Sequence, residues 1–399
     1  MAFLSTISSL VKMTLLLVLL TGQALAAETL TIVYLSREDD PVYLSKKTYT
    51  GLKLKEKKPP IAGVQAAVKE SGIPGRAAGL KFELVERVLA PGERAEEVMQ
   101  AQLANTRDSV FILDLPLAEI ELLAASRIDD NDTIMFNIRH PADALRAEKC
   151  SPVLFHTIAS TAMGTDAIAQ ILSARNWQNV LILASASADD RTTADAFTAS
   201  AKKFGLRIVA TREFINSNNP REREKNRPRL LTGDAGYDVI FLADQEGEFG
   251  RYLAYNTYLA RPVIGAEGLR SSSWHWTWER NGAPQLNQRI RKFAKGNPSS
   301  EDWAGWVAVR SVVLAAIKSA SVHPGDLRKT LRSDDFTVDM YKVGPGSFRA
   351  WDQQLRQPIL LHTHNAVIET APFDGFLHRF NTFDTLGYDA PEKRCNLEN

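Results

Sequence analysis

Three of the chain's seven tryptophans lie close together, at Trp274, Trp276 and Trp278. Side chains at alternate positions share one face of an extended strand, so an extended segment would align the three indoles. Aromatic faces and cations together suit a planar, anionic ligand that stacks on the rings and pairs with the charges. Packing against a core is the alternative, because tryptophan usually serves as a packing residue. The following cations interleave with the tryptophans: Arg270, His275 and Arg280.

The composition is that of a globular protein. The 399 residues are 44% hydrophobic and 24% charged, and the formal net charge is +1. This length predicts two domains, each of which can bury a core. A net charge so close to zero argues against a nucleic-acid-binding protein.

The N-terminus has the pattern of a secretory signal peptide, predicted over residues 1–26. Lys12 precedes an apolar run at 13–20, and Ala24-Leu25-Ala26 forms an A-x-A cleavage site. The run is shorter than the roughly 20 apolar residues that a membrane span needs. We therefore expect a mature protein that begins near Ala27 and is located in the periplasm.

The chain has two cysteines, Cys150 and Cys395. In an oxidising compartment an even pair predicts one disulfide, with two free thiols as the alternative. A metal site is not expected, because neither cysteine has a partner at ligand spacing. The histidines at 362, 364 and 378 are interpreted as ordinary side chains rather than metal ligands.

Strand and helix patterns alternate along both halves of the chain. This alternation predicts an α/β fold of two lobes, each with a parallel sheet flanked by helices. Strands are predicted at residues 30–35, 82–89, 110–113 and 133–138, and again at 153–158, 180–183, 207–214, 239–242 and 263–264. Helices are predicted between them, including one at 248–258. After residue 335, short antiparallel strands are expected.

In parallel sheets, ligands bind beyond the carboxyl ends of the strands. The side chains at these ends are therefore candidate site residues: Tyr34, Asp114, Arg139, Ser185, Asp244 and Glu267. Asp114 has an alternative role as the cap of the next helix. The basic insert at 46–58 either reaches over the cleft or is a solvated loop, and the charged segment at 221–229 is interpreted as a solvated surface. The chain has no G-x-S-x-G, P-loop or G-x-G-x-x-G motif, so an enzyme is not expected.

Several segments, in this order, resemble type I periplasmic binding proteins. They are residues 63–70, 75–76 and 80–85 for the first helix and second strand, 155–158 and 167–172 for the first crossover, and 195–197 and 205–209 beyond it. Residues 265–269 resemble the second crossover of the branched-chain amino-acid-binding proteins. The resemblance implies a monomeric, hinged, Venus-flytrap protein that delivers a small ligand to an ABC transporter permease. It implies one lobe of residues 27–149 with 266–345, and another of 150–265 with 346–399, which would contain the disulfide.

The resemblance also implies site residues. The amino-group-binding carboxylate falls on Glu267, and the carboxylate-binding loops fall near 115–116 and 137–139. An Arg139-His140 pair replaces the small hydroxyl residues there. With the tryptophans and the tail at 388–395, this departure resembles the branch associated with alcohol oxidation dependent on pyrroloquinoline quinone (PQQ). The residues implied to contact PQQ are Trp274, Trp276, Arg139, His156 and Arg270.

Two further functions stay open on the sequence. The first is a binding protein for an amino acid or an aromatic acid, in which Glu267 keeps its role. The second is a periplasmic partner or sensor of a PQQ-dependent alcohol dehydrogenase. His156 is also compatible with a purely structural role, and Trp278 with either a core or a cleft position.

Overall fold

The computed structural model describes residues 27–399, apart from 45–46, 49–50, 52–55, 107–108, 127–132, 218, 393, 396 and 398–399. The predicted signal peptide and Lys46, Lys53 and Lys55 of the basic insert lie outside the described residues. Within them, no single helix is long and apolar enough to cross a membrane. Length and composition suffice only for one helix pair, which is bent by 101°.

Two parallel sheets form the centres of two lobes. The first sheet has the order β2-β1-β3-β4-β5 and the second has the order β7-β6-β8-β9. The first contains β1 (Glu28–Arg37), β2 (Leu80–Leu89), β3 (Ser109–Asp114), β4 (Ile134–Asn137) and β5 (Leu154–His156). The second contains β6 (Asn179–Ser185), β7 (Arg207–Phe214), β8 (Val239–Ala243) and β9 (Val263–Gly265). The predicted two-lobed α/β fold is confirmed.

Helices lie between the strands of both sheets. In the first lobe they are α1 (Ile61–Glu70), α2 (Gly72–Ala77), α3 (Ala95–Asn105) and α4 (Leu117–Ser126). In the second lobe they are α5 (Thr161–Ala174), α6 (Ala188–Lys203), α7 (Pro220–Arg223), α8 (Pro228–Leu231) and α9 (Gly250–Leu253). The helix predicted at 248–258 is thus reduced to one turn. Gly250 lets this turn pack closely on the neighbouring segments, because a Cβ there would lie 2.6 Å from side-chain atoms of Glu267 and Leu242.

The chain then forms three helices and two small antiparallel sheets. These elements are β10 (Arg270–Ser272), α10 (Ala283–Arg291), α11 (Ser300–Ser319), α12 (Pro324–Leu331), β11 (Ser347–Phe348), β12 (Leu355–Arg356), β13 (Ile359–His362) and β14 (Val367–Ala371). Helix α11 begins with a capping box of Ser299 and Asp302. It packs closely on α1, because a Cβ at Gly63 would lie only 1.7 Å from the Asp302 carbonyl oxygen.

The lobe boundaries differ from those expected. Strand β5 pairs in parallel with β4, so residues 154–156 belong to the first sheet and not to the second lobe. Phe348 also packs in the first-lobe core, with its ring 5.2 Å from that of Phe155. Strand β13, which the expected boundaries place in the second lobe, has Ile359 and Leu361 in the core of that lobe. A three-residue strand and a two-residue strand carry too little periodicity to be assigned to a lobe from sequence.

Cys150 and Cys395 form the predicted disulfide, with Cα atoms 5.7 Å apart. Cys150 lies between β4 and β5, in the first lobe, so the bond does not lie within the second lobe as expected. The tail that precedes Cys395 contacts both lobes. Leu386 is in the second-lobe core, and its carbonyl accepts from Arg349 Nη2 at 2.6 Å.

Candidate functional site

The first-lobe side of the site is a cluster of polar side chains at the carboxyl ends of β1, β3 and β4. Tyr34 lies on β1, Asp114 ends β3 and Arg139 follows β4. The Tyr34 hydroxyl donates to Asp114 Oδ2 at 2.5 Å, and Arg139 Nη1 donates to Asp114 Oδ1 at 2.9 Å. The structure therefore brings these three predicted residues together, with each bonded to another protein side chain.

The loop after β1 adds two residues that the sequence did not single out. Arg139 Nη1 donates to Asp40 Oδ2 at 2.7 Å, and the Tyr43 hydroxyl donates to Asp114 Oδ1 at 2.6 Å. The guanidinium carbon of Arg139 lies 5.6 Å from the centre of the Tyr43 ring. This loop covers the end of the sheet, and the only sequence signal for it was its position directly after β1.

The cluster combines charged side chains with neutral ones. Burial raises the pKa of Asp114, while Arg139 opposes that shift. Burial also raises the pKa of Tyr34 well above its ordinary value, so its hydroxyl remains a donor. Burial, together with the charge of Arg139, lowers the pKa of His140 to about 4. At neutral pH, one guanidinium therefore faces two carboxylates and a neutral imidazole.

One edge of the Arg139 guanidinium faces only this neutral imidazole. Its Nε and Nη2 atoms lie 3.2 and 3.1 Å from His140 Nε2, which itself lies 2.8 Å from the Leu115 carbonyl oxygen. A neutral Nε2 either donates to Leu115 or accepts from Arg139, but it cannot do both. In the tautomer that donates to Leu115, the Nε/Nη2 edge has no acceptor among the described residues. A carboxylate would pair with that edge through two hydrogen bonds only after the His140 ring moves away from it.

The second-lobe side is a tight turn around Glu267. Gly265 has a φ of +99° and Gly268 a φ of +70°, and a Cβ at Gly268 would lie 2.0 Å from the Val263 carbonyl oxygen. Only glycine fits such a turn without strain. Glu267 Oε1 forms an ion pair with Arg270 Nη2 at 2.9 Å, and both side chains remain partly exposed.

Asp244 and Ser185 hold the loops beside this turn. Asp244 is buried and accepts from the backbone N–H groups of Gly247 at 2.9 Å and Gly250 at 2.8 Å. Ser185 donates to Asp190 Oδ2 at 2.5 Å. Both oxygens of Asp244 bond to its own loop, and the expected contact of Asp244 with a ligand stays a prediction.

The three tryptophans do not share one face. Trp274 is 2% exposed, stacks on Trp303 at 6.1 Å and donates to Asn287, so it is a core residue. Trp278 is also buried, and its indole N–H donates to the Tyr341 carbonyl. The chain turns at 276–277, and Trp276 is 38% exposed. The expected alignment of the three indoles on one face is wrong, because this segment is a turn, in which alternate side chains diverge.

Trp276 instead belongs to a run of neighbouring side chains that also includes the exposed Arg270, the half-buried His275 and the buried His362. Its ring lies 5.9 Å from that of His275, which stacks on His362 at 4.1 Å. His362 pairs with Arg270 in the ladder of β10 and β13. Burial and the neighbouring His362 lower the pKa of His275 to about 4, so its ring is neutral at neutral pH. We call Arg270, His362, His275 and Trp276 the aromatic rim.

His156, expected to contact a ligand, is fully buried within the hinge. Its Nδ1 lies 3.2 Å from Asn137 Nδ2, and its backbone N–H donates to the Gln353 carbonyl. Burial lowers the pKa of His156 well below its ordinary value, so the ring is neutral. It cannot reach the cleft, because it ends β5 beneath the segment that returns at 353–354.

Glutamine side chains hold the hinge. Gln354 Nε2 donates to the carbonyls of His156 and Ile158, and its Oε1 accepts from Arg146 Nε at 3.0 Å. Gln357 Nε2 donates to the Thr157 carbonyl at 2.8 Å. The first crossover and the returning segment at 353–357 are thus joined directly, and sequence spacing gave no sign of it.

A surface cavity of about 490 Å³ lies on the first lobe, away from the strand ends, and is lined by Gly282, Gln285, Gln288, Arg289, Lys292 and Tyr341. Across the described ranges, His, Cys, Asp and Glu side chains do not gather in groups of three that would suit a metal ion.

Comparisons with known proteins match this architecture. Residues 122–242 match the family model described as the receptor family ligand binding region. No curated protein sequence matches the chain. Among solved structures, a branched-chain amino-acid ABC transporter periplasmic ligand-binding protein from Burkholderia xenovorans LB400 has a TM-score of 0.68 and 14% identity. That match covers 86% of this chain and 95% of the other.

Two structures with bound ligands are also similar. An ABC transporter substrate-binding protein from Desulfitobacterium hafniense in complex with Leu has a TM-score of 0.63 and 18% identity, covering 86% and 99% of the two chains. A solute-binding protein of an ABC transporter from Rhodopseudomonas palustris BisB5 in complex with 3,4-dihydroxybenzoic acid has a TM-score of 0.59 and 14% identity, covering 84% and 93%. The chain therefore has the two-lobed fold of the type I periplasmic binding proteins.

Proposed function

We propose that the chain is the periplasmic solute-binding component of an ABC importer and that it binds a planar, aromatic carboxylate, with PQQ as the leading candidate. The fold supports the first part, because two lobes joined by crossovers can close on a ligand. A ligand that contacts both lobes shifts the hinge equilibrium toward closure by its differential contacts in the closed state.

The aromatic rim is the observation that best supports an aromatic carboxylate as the ligand. The rings of His275 and His362 stack, the exposed indole of Trp276 lies beside His275, and Arg270 is the strand partner of His362. Neutral aromatic faces favour a flat ring system, and a guanidinium favours a carboxylate. Arg270 uses Nη2 for Glu267, so its other donors remain for a ligand.

Arg139 gives a second contact for an acid. Its Nε/Nη2 edge lies at the carboxyl end of the first sheet, with the neutral His140 in front of it. PQQ is a fused, flat quinone with three carboxylates, so it has groups for both cations and a ring for the rim. The relative from Rhodopseudomonas palustris that holds 3,4-dihydroxybenzoic acid is consistent with an aromatic acid in this fold.

An amino acid is the second candidate. Glu267 would bind its amino group, and the relative from Desulfitobacterium hafniense holds leucine. In this chain Glu267 is paired with Arg270, so an amino group would have to compete with that guanidinium. The ion pair therefore favours an acid without a free amine.

Isothermal titration calorimetry on ligand-stripped, refolded protein tests the proposal. The titrants are PQQ, 3,4-dihydroxybenzoate and leucine. Stoichiometric binding of PQQ with no heat from leucine is expected. Heat from leucine alone would replace the proposal with the amino-acid function, and silence from all three titrants would reject both ligand classes.

Three variants assign the contacts. Arg270→Ala removes a charge-assisted hydrogen bond of about 1.5–3 kcal/mol and should weaken PQQ binding by about 10- to 100-fold. Trp276→Ala removes stacking of about 0.5–1.5 kcal/mol and should weaken it by about 3- to 10-fold. Arg280→Ala is the matched control, because this exposed arginine lies outside the rim, over Trp278. If Arg270→Ala and Arg280→Ala weaken binding equally, the aromatic rim does not contact the ligand.

A genetic test distinguishes import of PQQ from delivery of PQQ to a dehydrogenase. A strain that lacks this protein should accumulate less PQQ from the medium. If PQQ uptake is normal but a PQQ-dependent alcohol dehydrogenase loses its cofactor or its complex with this chain, the function is delivery to that enzyme. Either result requires the ligand binding measured above.

A further inference from the structure

One side of the second sheet has an outer surface that the proposed function does not use. The connections from β7 to β8 and from β8 to β9 both cover this side. Leu231, Leu253 and Leu259 from these connections pack together in one core cluster with Ile240 and Leu242 of β8. The two connections are therefore neighbours on one layer, and they share one outer surface.

A direct bond fixes the two connections side by side. The Tyr258 backbone N–H donates to the Thr232 hydroxyl at 2.7 Å, and the Leu259 N–H donates to the Tyr237 hydroxyl at 3.2 Å. Arg212 fixes the connection from β7 to β8, because its Nη1 donates to the Leu231 carbonyl at 2.8 Å. The surface is consequently built on ordered backbone.

Large aromatic and apolar side chains are exposed on this layer. Tyr252 is 61% exposed, Tyr255 92% and Tyr258 53%, and Leu230 of the other connection is 66% exposed. Three tyrosines so exposed within seven residues leave considerable ring area in solvent. Such rings, rimmed by polar groups, are a common mark of an interaction surface.

The same layer also exposes five arginines. They are Arg221, Arg227, Arg229, Arg251 and Arg261. None of these five guanidiniums forms an ion pair with any residue that the structure describes, whereas Arg37, Arg94, Arg139 and Arg349 all do. Arg251 lies over the Tyr252 ring at 5.7 Å. We call these arginines, the three tyrosines and Leu230 the arginine–tyrosine face.

We propose that the arginine–tyrosine face docks an acidic surface of a protein partner. Tyrosine and arginine are enriched at the energetic centres of protein interfaces. Unpaired guanidiniums steer an acidic partner and then bind its carboxylates in pairs. A membrane surface is less well matched, because Glu222 and Glu224 lie among the arginines and because no tryptophan or phenylalanine is exposed on the described part of this face.

Binding of a labelled glutamate–tyrosine copolymer tests the charge and aromatic requirements together. The copolymer should bind to the whole protein at low ionic strength, as measured by fluorescence anisotropy. Arg229→Glu with Arg251→Glu should weaken binding by at least about tenfold. Tyr252→Ala with Tyr255→Ala leaves the charge unchanged and should weaken it by at least about threefold.

A matched pair of substitutions removes the effect of net charge. Arg191→Glu with Lys202→Glu changes the net charge by the same amount, but on α6, whose Ala194, Phe197 and Ala201 pack in the other core cluster of this lobe. This variant should bind the copolymer as the unaltered protein does. An equal loss in this control, or no loss in the tyrosine variant, would overturn the proposal, since binding would then be nonspecific electrostatics.

Phosphatidylglycerol vesicles complete the test. Co-sedimentation that depends on Arg229 and Arg251 and exceeds copolymer binding would assign the face to a membrane and overturn the proposal. Unchanged thermal unfolding of every variant shows that the fold is intact. The outcome does not depend on PQQ binding, so a failure here is separate from a failure of the proposed function.

Discussion

Replacing Arg139 by methionine tests the buried cluster of the first lobe. The Arg139 side chain is 8% exposed, and its partners Asp40 and Asp114 are 3% and 0% exposed. Methionine preserves much of the volume but removes the only cation that contacts either carboxylate among the described residues. Breaking a buried ion pair from one side costs about 3–5 kcal/mol, because an uncompensated charge is left in the interior.

The remaining hydrogen bonds place the loss near the lower limit. Asp114 keeps the hydroxyl donors of Tyr34 and Tyr43, and Asp40 keeps the Val42 N–H at 2.9 Å. We therefore expect Arg139→Met to lower the free energy of unfolding by about 3 kcal/mol. That loss corresponds to a fall in Tm of about 6–12 °C for a lobe of this size. Adding Asp40→Asn removes one stranded charge and should recover about 1–2 kcal/mol.

Urea unfolding monitored by tryptophan emission reports on the first lobe, which contains Arg139. Four tryptophans, Trp274, Trp278, Trp303 and Trp306, lie in the first-lobe core. Arg94→Met is the matched control. Arg94 also joins two carboxylates, but it is 66% exposed, so its loss should be below about 1 kcal/mol.

The pH dependence provides an independent check. The pKa of Asp114 is already raised in the folded state, chiefly by burial. A carboxyl with a raised folded pKa binds more protons when folded, so stability falls as pH rises above its unfolded value of about 3.9. Removing Arg139 raises this pKa further and extends that fall to higher pH. The deficit of Arg139→Met should thus be smaller at pH 5 than at pH 8. A loss no larger than that of Arg94→Met, or an additional loss from Asp40→Asn, would refute the reasoning.

Three further predictions concern the core, the hinge and the disulfide. Trp274→Ala should lose about 3–5 kcal/mol in urea unfolding and Trp276→Ala less than about 0.5; similar losses would contradict their different burial. Gln354→Leu leaves Arg146 Nε without its acceptor and should lower the free energy of unfolding by about 1–3 kcal/mol, which thermal denaturation would measure; an unchanged Tm would contradict this. The disulfide spans 245 residues, so by the chain-entropy relation its reduction should cost at most about 5.5 kcal/mol, as measured by calorimetry with and without reductant; no change would show that the closed loop contributes little.

The first-lobe cluster shows what sequence can and cannot predict about the site. The rule that ligand-side residues follow parallel strands brought Tyr34, Asp114 and Arg139 to one place. It did not reveal that they bond to one another, nor that Asp40 joins them. An ion pair across 99 residues leaves no spacing signal, because only the folded sheet brings its partners together.

The expected alignment of the three tryptophans is wrong for a different reason. Alternation predicts facing only when the backbone is extended, and residues 274–278 form a turn. Burial of Trp274 and Trp278 then leaves Trp276 as the accessible ring. The turn around Glu267 was not predicted, although Gly265 and Gly268 take the left-handed conformations that favour glycine.

Strand β2 lies at the edge of the first sheet, and no further strand pairs with it in the described part of the chain. A ten-residue parallel edge is a template on which another chain could add a strand. Its exposed positions carry the charges Lys81, Glu83, Glu86 and Arg87, and Lys81 pairs with Glu83. These charges oppose edge-to-edge addition of a second copy. The protein should for this reason resist fibrillar self-association at high concentration, even though this long edge is left uncovered.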